Sequence, residues 1–150
     1  MKDVGMDVEE LEKMWAEDAK IDETNLSRES ARIPEMHSKY YKLLFRAHLR
    51  TSKLKSNLKE LERSKTEYYN GTMAEEDLKE KNWKPNPLKI LRQDLDKYIQ
   101  SDRDIIDLSL KIDYQASVEK FLEDVVRQIN TRNFIIKNMV EFLKFQNGGY

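Results

Sequence analysis

Residues 34–71 read PEMHSKYYKLLFRAHLRTSKLKSNLKELERSKTEYYNG. It has no proline after Pro34 and no glycine before Gly71. Tyr40, Ala47, Leu54, Leu61 and Tyr68 fall seven residues apart, on one face of a long helix. From Pro34 to Tyr69 that helix would run on the order of 54 Å. A small globule cannot cover such a length, so its apolar seam needs another chain or a long hairpin. Nine cations lie between Lys39 and Lys65, against two acids, Glu60 and Glu62. One element thus offers a seam for helices and a positive surface for an anion.

Outward from this helix the charge reverses. Residues 1–35 carry 5 cations and 11 acids, whereas residues 36–65 carry 9 and 2. A binding surface responds to local potential, so this segregation matters more than the net charge of −1. The chain has 150 residues, the length of one domain, and is 37% charged and 39% hydrophobic. Rich in Glu, Lys, Leu and Arg at helical spacing, it reads as all-α, with long helices in a helical hairpin or coiled-coil arrangement. Regular apolar spacing and seven tyrosines argue against disorder. Without cysteine there is no disulfide or thiolate metal site, and a reducing cytoplasm is the expected home. No run of ~18–20 apolar residues is present to span a membrane, and the N-terminus lacks the apolar run of a signal peptide.

The pattern predicts one helical domain over 1–150. Residues 1–6 read as a frayed leader, and Val8, Leu11 and Trp15 mark a short acidic helix within 1–20. A long basic helix is expected over 23–69, N-capped by Asp22 and kinked at Pro34 or broken just before it. Asn70-Gly71 should end it, with Gly71 as a left-handed cap. Residues 72–87 read as an exposed connector with Trp83 as an anchor. Helical spacing resumes over 88–146. There Ile106, Leu108, Leu110 and Ile112 alternate like a strand, but no partner strand is evident, so helix is expected. Val118, Leu122, Val125, Ile129, Ile136, Val140 and Leu143 form a stripe. Phe134, Phe142 and Phe145 lie beside it, giving this helix a second apolar side of the kind that packs in an oligomer.

No catalytic or metal-binding pattern emerges. His37 and His48 stand in no metal-ligating spacing, and there is no phosphate-binding GxxxxGK[ST] loop. Asp102 and Asp104 would point to different faces of a helix, so Asp102, Asp104 and Asp107 read as a solvated acidic surface. The chain reads as no enzyme and needs no cofactor. The cations remain. Lys39, Lys42, Arg46, Arg50 and Lys53 line one side of the helix, and Lys55, Lys59 and Arg63 form a second row, followed by Lys65. Rows of mobile cations suit phosphates, and Tyr68 or Tyr69 could stack on unpaired bases. The competing reading is a coiled-coil scaffold or assembly chaperone whose lysines only solvate a helix and pair with the acidic 1–35 segment.

Ile21-Asp22-x-Thr24-x-Leu26, Arg63-Ser64-Lys65-Thr66-Glu67-Tyr68-Tyr69-Asn70-Gly71, and Asp102-x-Asp104-Ile105 running to Arg132-Asn133-Phe134-Ile135-Ile136-Lys137 are three stretches. In this order they resemble the UvsY-type recombination mediators of tailed phages. The resemblance implies a ring of six or seven copies that binds single-stranded DNA without sequence preference. Such a protein loads a RecA-like recombinase onto strands coated by a single-strand-binding protein, in the host cytoplasm if phage-encoded. In the family the DNA contacts lie at a basic-x-basic pair, here Arg63 and Lys65, and Lys59, Tyr68 and Tyr69 beside it are expected to bind DNA with them. The family has lysine first and arginine second, the reverse of this chain, and Pro34 is a second departure. The acidic 1–20 helix is the expected recombinase surface, and the C-terminal helix the expected assembly surface.

Overall fold

The computed structural model describes residues 5, 7–86 and 88–148, and so leaves aside most of the expected leader and Pro87. The described residues form six helices in order: α1 (Val8–Asp18), α2 (Leu26–Ala31), α3 (Ile33–Tyr69), α4 (Glu75–Lys81), α5 (Leu95–Gln100) and α6 (Arg103–Gln146). No strand forms among the described residues, and the alternating segment 105–112 is a helical part of α6. Among the described residues no helix is long and apolar enough to cross a membrane.

The expected 23–69 helix is broken just before Pro34. A continuous helix would need residue 34 to donate an N–H to the Ser30 carbonyl, and proline has none. In the first turn of α3 that missing donor costs nothing, because the first four N–H groups lack intrahelical partners anyway. The cap of α2 is Asn25, not Asp22: the Asn25 side chain accepts from the Arg28 amide at 3.2 Å. Asp22 instead closes a turn by accepting from the Thr24 amide at 3.0 Å and the Thr24 hydroxyl at 2.5 Å. At its other end α3 stops at Gly71, whose φ of +78° favours a residue without a Cβ. The 72–87 connector contains α4, and residues 88–94 are not helical.

The described chain groups into two compact units, residues 1–48 with 117–150, and residues 49–116. In the first unit the start of α3 packs on the end of α6 around Leu11, Met36, Tyr40, Ala47, Val118, Leu122, Val125 and Ile129, all buried. The α6 stripe is therefore core from Val118 to Ile136, while Leu143 is exposed. Trp15 of α1 meets Tyr40 edge-on at 5.3 Å between ring centroids. The Tyr40 hydroxyl and Lys39 ammonium both reach Asp18 Oδ2 at 2.7 Å, which fixes α1 to α3.

A buried ion pair ties the remaining elements of this unit together. Arg132 Nη2 lies 2.9 Å from Glu29 Oε2, and the two side chains are each only 5% exposed. The same guanidinium donates to the Ala19 and Lys20 carbonyls at 3.0 and 2.8 Å, and Glu29 also accepts from Arg32 at 2.9 Å. Burial alone would raise the Glu29 carboxyl; hydrogen bonds from Arg132 and Arg32 hold it below the usual range.

In the second unit the end of α3 packs on the start of α6, with Ile99, Ile105 and Ile112 buried. The 88–94 segment is tied to α3 by the Ile90 amide, which donates to the Tyr69 carbonyl at 3.4 Å.

Candidate nucleic-acid interface

The basic-x-basic pair of α3 is split by the helix. Residues 63 and 65 are about 200° apart around an α-helix, so one turns out when the other turns in. The Arg63 side chain is 84% exposed, with a loose contact to Glu67 at 3.5 Å from Nε. The Lys65 side chain is 6% exposed. Its ammonium lies 2.8 Å from Asp104 Oδ2 and 3.2 Å from Asp102 Oδ2, and 4.0 Å from the centre of the Trp83 ring. A cation there gains from both the carboxylates and the electron-rich ring face.

Asp102 is the hub of this cluster. Oδ1 accepts from the Asp104 amide at 2.9 Å and so caps the N-terminus of α6. Oδ2 takes Lys65 and the Tyr69 hydroxyl, the latter at 2.5 Å. Burial pushes this carboxyl up, but the Tyr69, Lys65 and Asp104 donors together bring it below the usual carboxylate range. Burial and the adjacent carboxylate raise the Tyr69 phenol instead. The expected solvated acidic surface is therefore wrong for Asp102, which is buried; Asp107 is exposed.

Tyr68 and Tyr69 are half-buried. Tyr68 donates to the Lys84 carbonyl at 2.7 Å and meets Trp83 edge-on at 5.4 Å, so the connector tryptophan does act as an anchor. Tyr69 packs near Tyr98 at 5.8 Å. Lys59 is exposed, as is Lys55, and neither forms an ion pair among the described residues. Lys55, Lys59 and Arg63 follow one another at four-residue spacing, which keeps them on one outward face.

An acid titration tests the Asp102 assignment. A carboxyl depressed in the folded state contributes stability above its unfolded pKa, near 3.8, and loses it as pH falls through the folded value. The destabilisation caused by Asp102→Asn should therefore be greatest near neutrality and shrink below about pH 4. A penalty independent of pH in chemical denaturation would contradict the assignment.

Elsewhere, His48 Nδ1 lies 3.1 Å from Glu119, and His37 stacks on Tyr41 at 5.8 Å. Among the described residues no three of His, Cys, Asp and Glu gather to hold a metal ion. Neither the Glu29–Arg132 pair nor the cap formed by Asp102 is among the residues expected from the sequence. An aspartate directly before the helical run that begins at Arg103 was the available signal for that cap.

The geometry defines an all-helical protein with an exposed cationic row on one long helix. The chain belongs to the UvsY family, described as recombination, repair and ssDNA binding protein UvsY, whose family model matches residues 14–149. The fold is that of the bacteriophage T4 recombination mediator protein UvsY. One crystal form matches at a TM-score of 0.81 and 18% identity over 95% of this chain and 98% of that one. A second gives 0.79 and 19% over 94% and 99%, and a third 0.78 and 17% over 91% and 98%. No curated protein is matched at the level of sequence.

Proposed function

We propose that this protein is a recombination mediator. It binds single-stranded DNA without sequence preference and promotes loading of a RecA-like recombinase onto strands coated by a single-strand-binding protein. The observation that carries the proposal is the exposed row Lys55, Lys59 and Arg63 on a helix of a UvsY-family chain. Lys59 and Arg63 contact phosphates directly. Lys65 and Tyr69 act one step back, holding the end of α3 against α6 so that Arg63 faces outward. Tyr68 keeps Trp83 and the connector in place. The role needs positioned charge and no catalytic group.

One such row binds a strand weakly. Assembly into a ring of six or seven copies would repeat it, and linked weak sites gain through effective concentration. Support for assembly comes from the end of α6, where Phe134, Phe142 and Phe145 are 66%, 60% and 80% exposed. The mass in solution tests this: a monomer at micromolar concentration would contradict it.

Phosphate neutralisation releases counterions, so log affinity should fall with log salt at a slope near −0.7 per phosphate engaged. Lys59→Ala with Arg63→Ala should weaken oligonucleotide binding about tenfold at moderate salt and flatten that slope, with stability unchanged. An unchanged slope would remove these two residues from the interface.

A further inference from the structure

The outward row on α3 does not end at Arg63. Thr66 on the same helix face, and Asn70 just past the end of α3, continue it at spacings of three and four. There they form one wall of a cavity of about 610 Å³ within the second unit. The opposite wall comes from the 88–94 segment and α5, with Lys89, Leu91, Arg92 and the buried Ile99. The volume is that of an ordinary small-ligand pocket. Leu91 is 64% exposed, so its apolar surface is left to water.

The polar groups suit a nucleotide. Lys89 and Arg92 form no ion pair among the described residues, and Asp96 is the one acid in the lining. Asn70 uses its carbonyl oxygen to accept from the Thr72 amide and hydroxyl, at 3.0 and 2.6 Å. Its side-chain NH2 donates to nothing among the described residues. Thr66 donates to the Glu62 carbonyl at 2.7 Å and keeps an acceptor. Aliphatic floor, amide donor and a planar guanidinium are what an unstacked base can lie against, and they discriminate little between bases. Among the described residues no aromatic ring lines the cavity, and Tyr68 and Tyr69 are committed elsewhere.

We infer that this cavity is a nucleotide subsite: it takes one unstacked base of the strand whose phosphates lie along Lys55, Lys59 and Arg63, while Lys89 and Arg92 hold the next phosphate. The inference rests on the proposed single-strand binding.

The test is fluorescence anisotropy of the full chain with a labelled thymidine oligonucleotide and its abasic counterpart of equal length and charge. The wild type should bind the thymidine strand several-fold more tightly. Leu91→Ser, at an exposed position, should abolish that difference while leaving the abasic strand unaffected. Lys89→Ala with Arg92→Ala should weaken both strands about tenfold. Equal affinity of the wild type for the two strands, or wild-type binding by the Lys89/Arg92 variant, overturns the subsite. If Lys59→Ala with Arg63→Ala still loses affinity, the row stands and only the subsite falls. If the wild type binds neither strand, the single-strand reading fails and the subsite with it.

Discussion

Arg132→Ala is expected to destabilise the first unit by about 3–5 kcal/mol, the range for breaking a buried ion pair from one side. Removing the guanidinium leaves Glu29 charged and buried, with only Arg32 to compensate it, and strips the Ala19 and Lys20 carbonyls of their donor. An unpaired buried polar group costs more than the pair contributes. The loss should appear in chemical denaturation followed by circular dichroism. Glu29→Gln with Arg132→Met, which removes both charges, should recover part of it. A change below about 1 kcal/mol for Arg132→Ala would mean that the pair does not hold the α1–α2 turn and α2 to α6.

Lys65→Met is the second large effect, at about 3 kcal/mol, because it removes the cation from a buried carboxylate while keeping the aliphatic volume. Asp104 is 56% exposed, and water can compensate it, which keeps the estimate at the low end. Arg63→Ala should behave oppositely, within about 0.5 kcal/mol in stability because its contact to Glu67 is solvent-exposed. DNA affinity should separate them again. Arg63→Ala weakens binding with the fold intact. Lys65→Met weakens it only as far as the second unit loses structure, so its binding should recover under stabilising conditions. A stable Lys65→Met variant with lost binding would make Lys65 a direct phosphate contact.

These two clasps also mark what could be read in the sequence. The helical class, an interruption at Pro34 as either a kink or a break, and the stop at Gly71 were legible, because proline, glycine and periodic apolar residues act locally. So was the seam, of which Tyr40 and Ala47 are buried and Leu54, Leu61 and Tyr68 half-buried. The pairing of Lys65 with Asp102 and of Glu29 with Arg132 was not. Each joins residues far apart in the chain, and a charged residue gives no sign of whether it will face water or a partner. The stretches that carry the family resemblance contain Lys65, Tyr69, Asp102, Asp104 and Arg132, and these are clasp residues. The resemblance therefore reports the fold at least as much as a binding surface. The cavity beside Thr66 was hidden for a related reason: half its wall comes from the irregular 88–94 segment, which has no period to read.

The central claim is that the outward row on α3 serves single-stranded DNA. The most direct measurement is a salt titration of the full chain with a labelled single strand and the corresponding duplex. Saturable binding that prefers the single strand and weakens log-linearly with salt is expected. No saturable binding at low salt would contradict it, and would leave a helical scaffold whose lysines only solvate a helix.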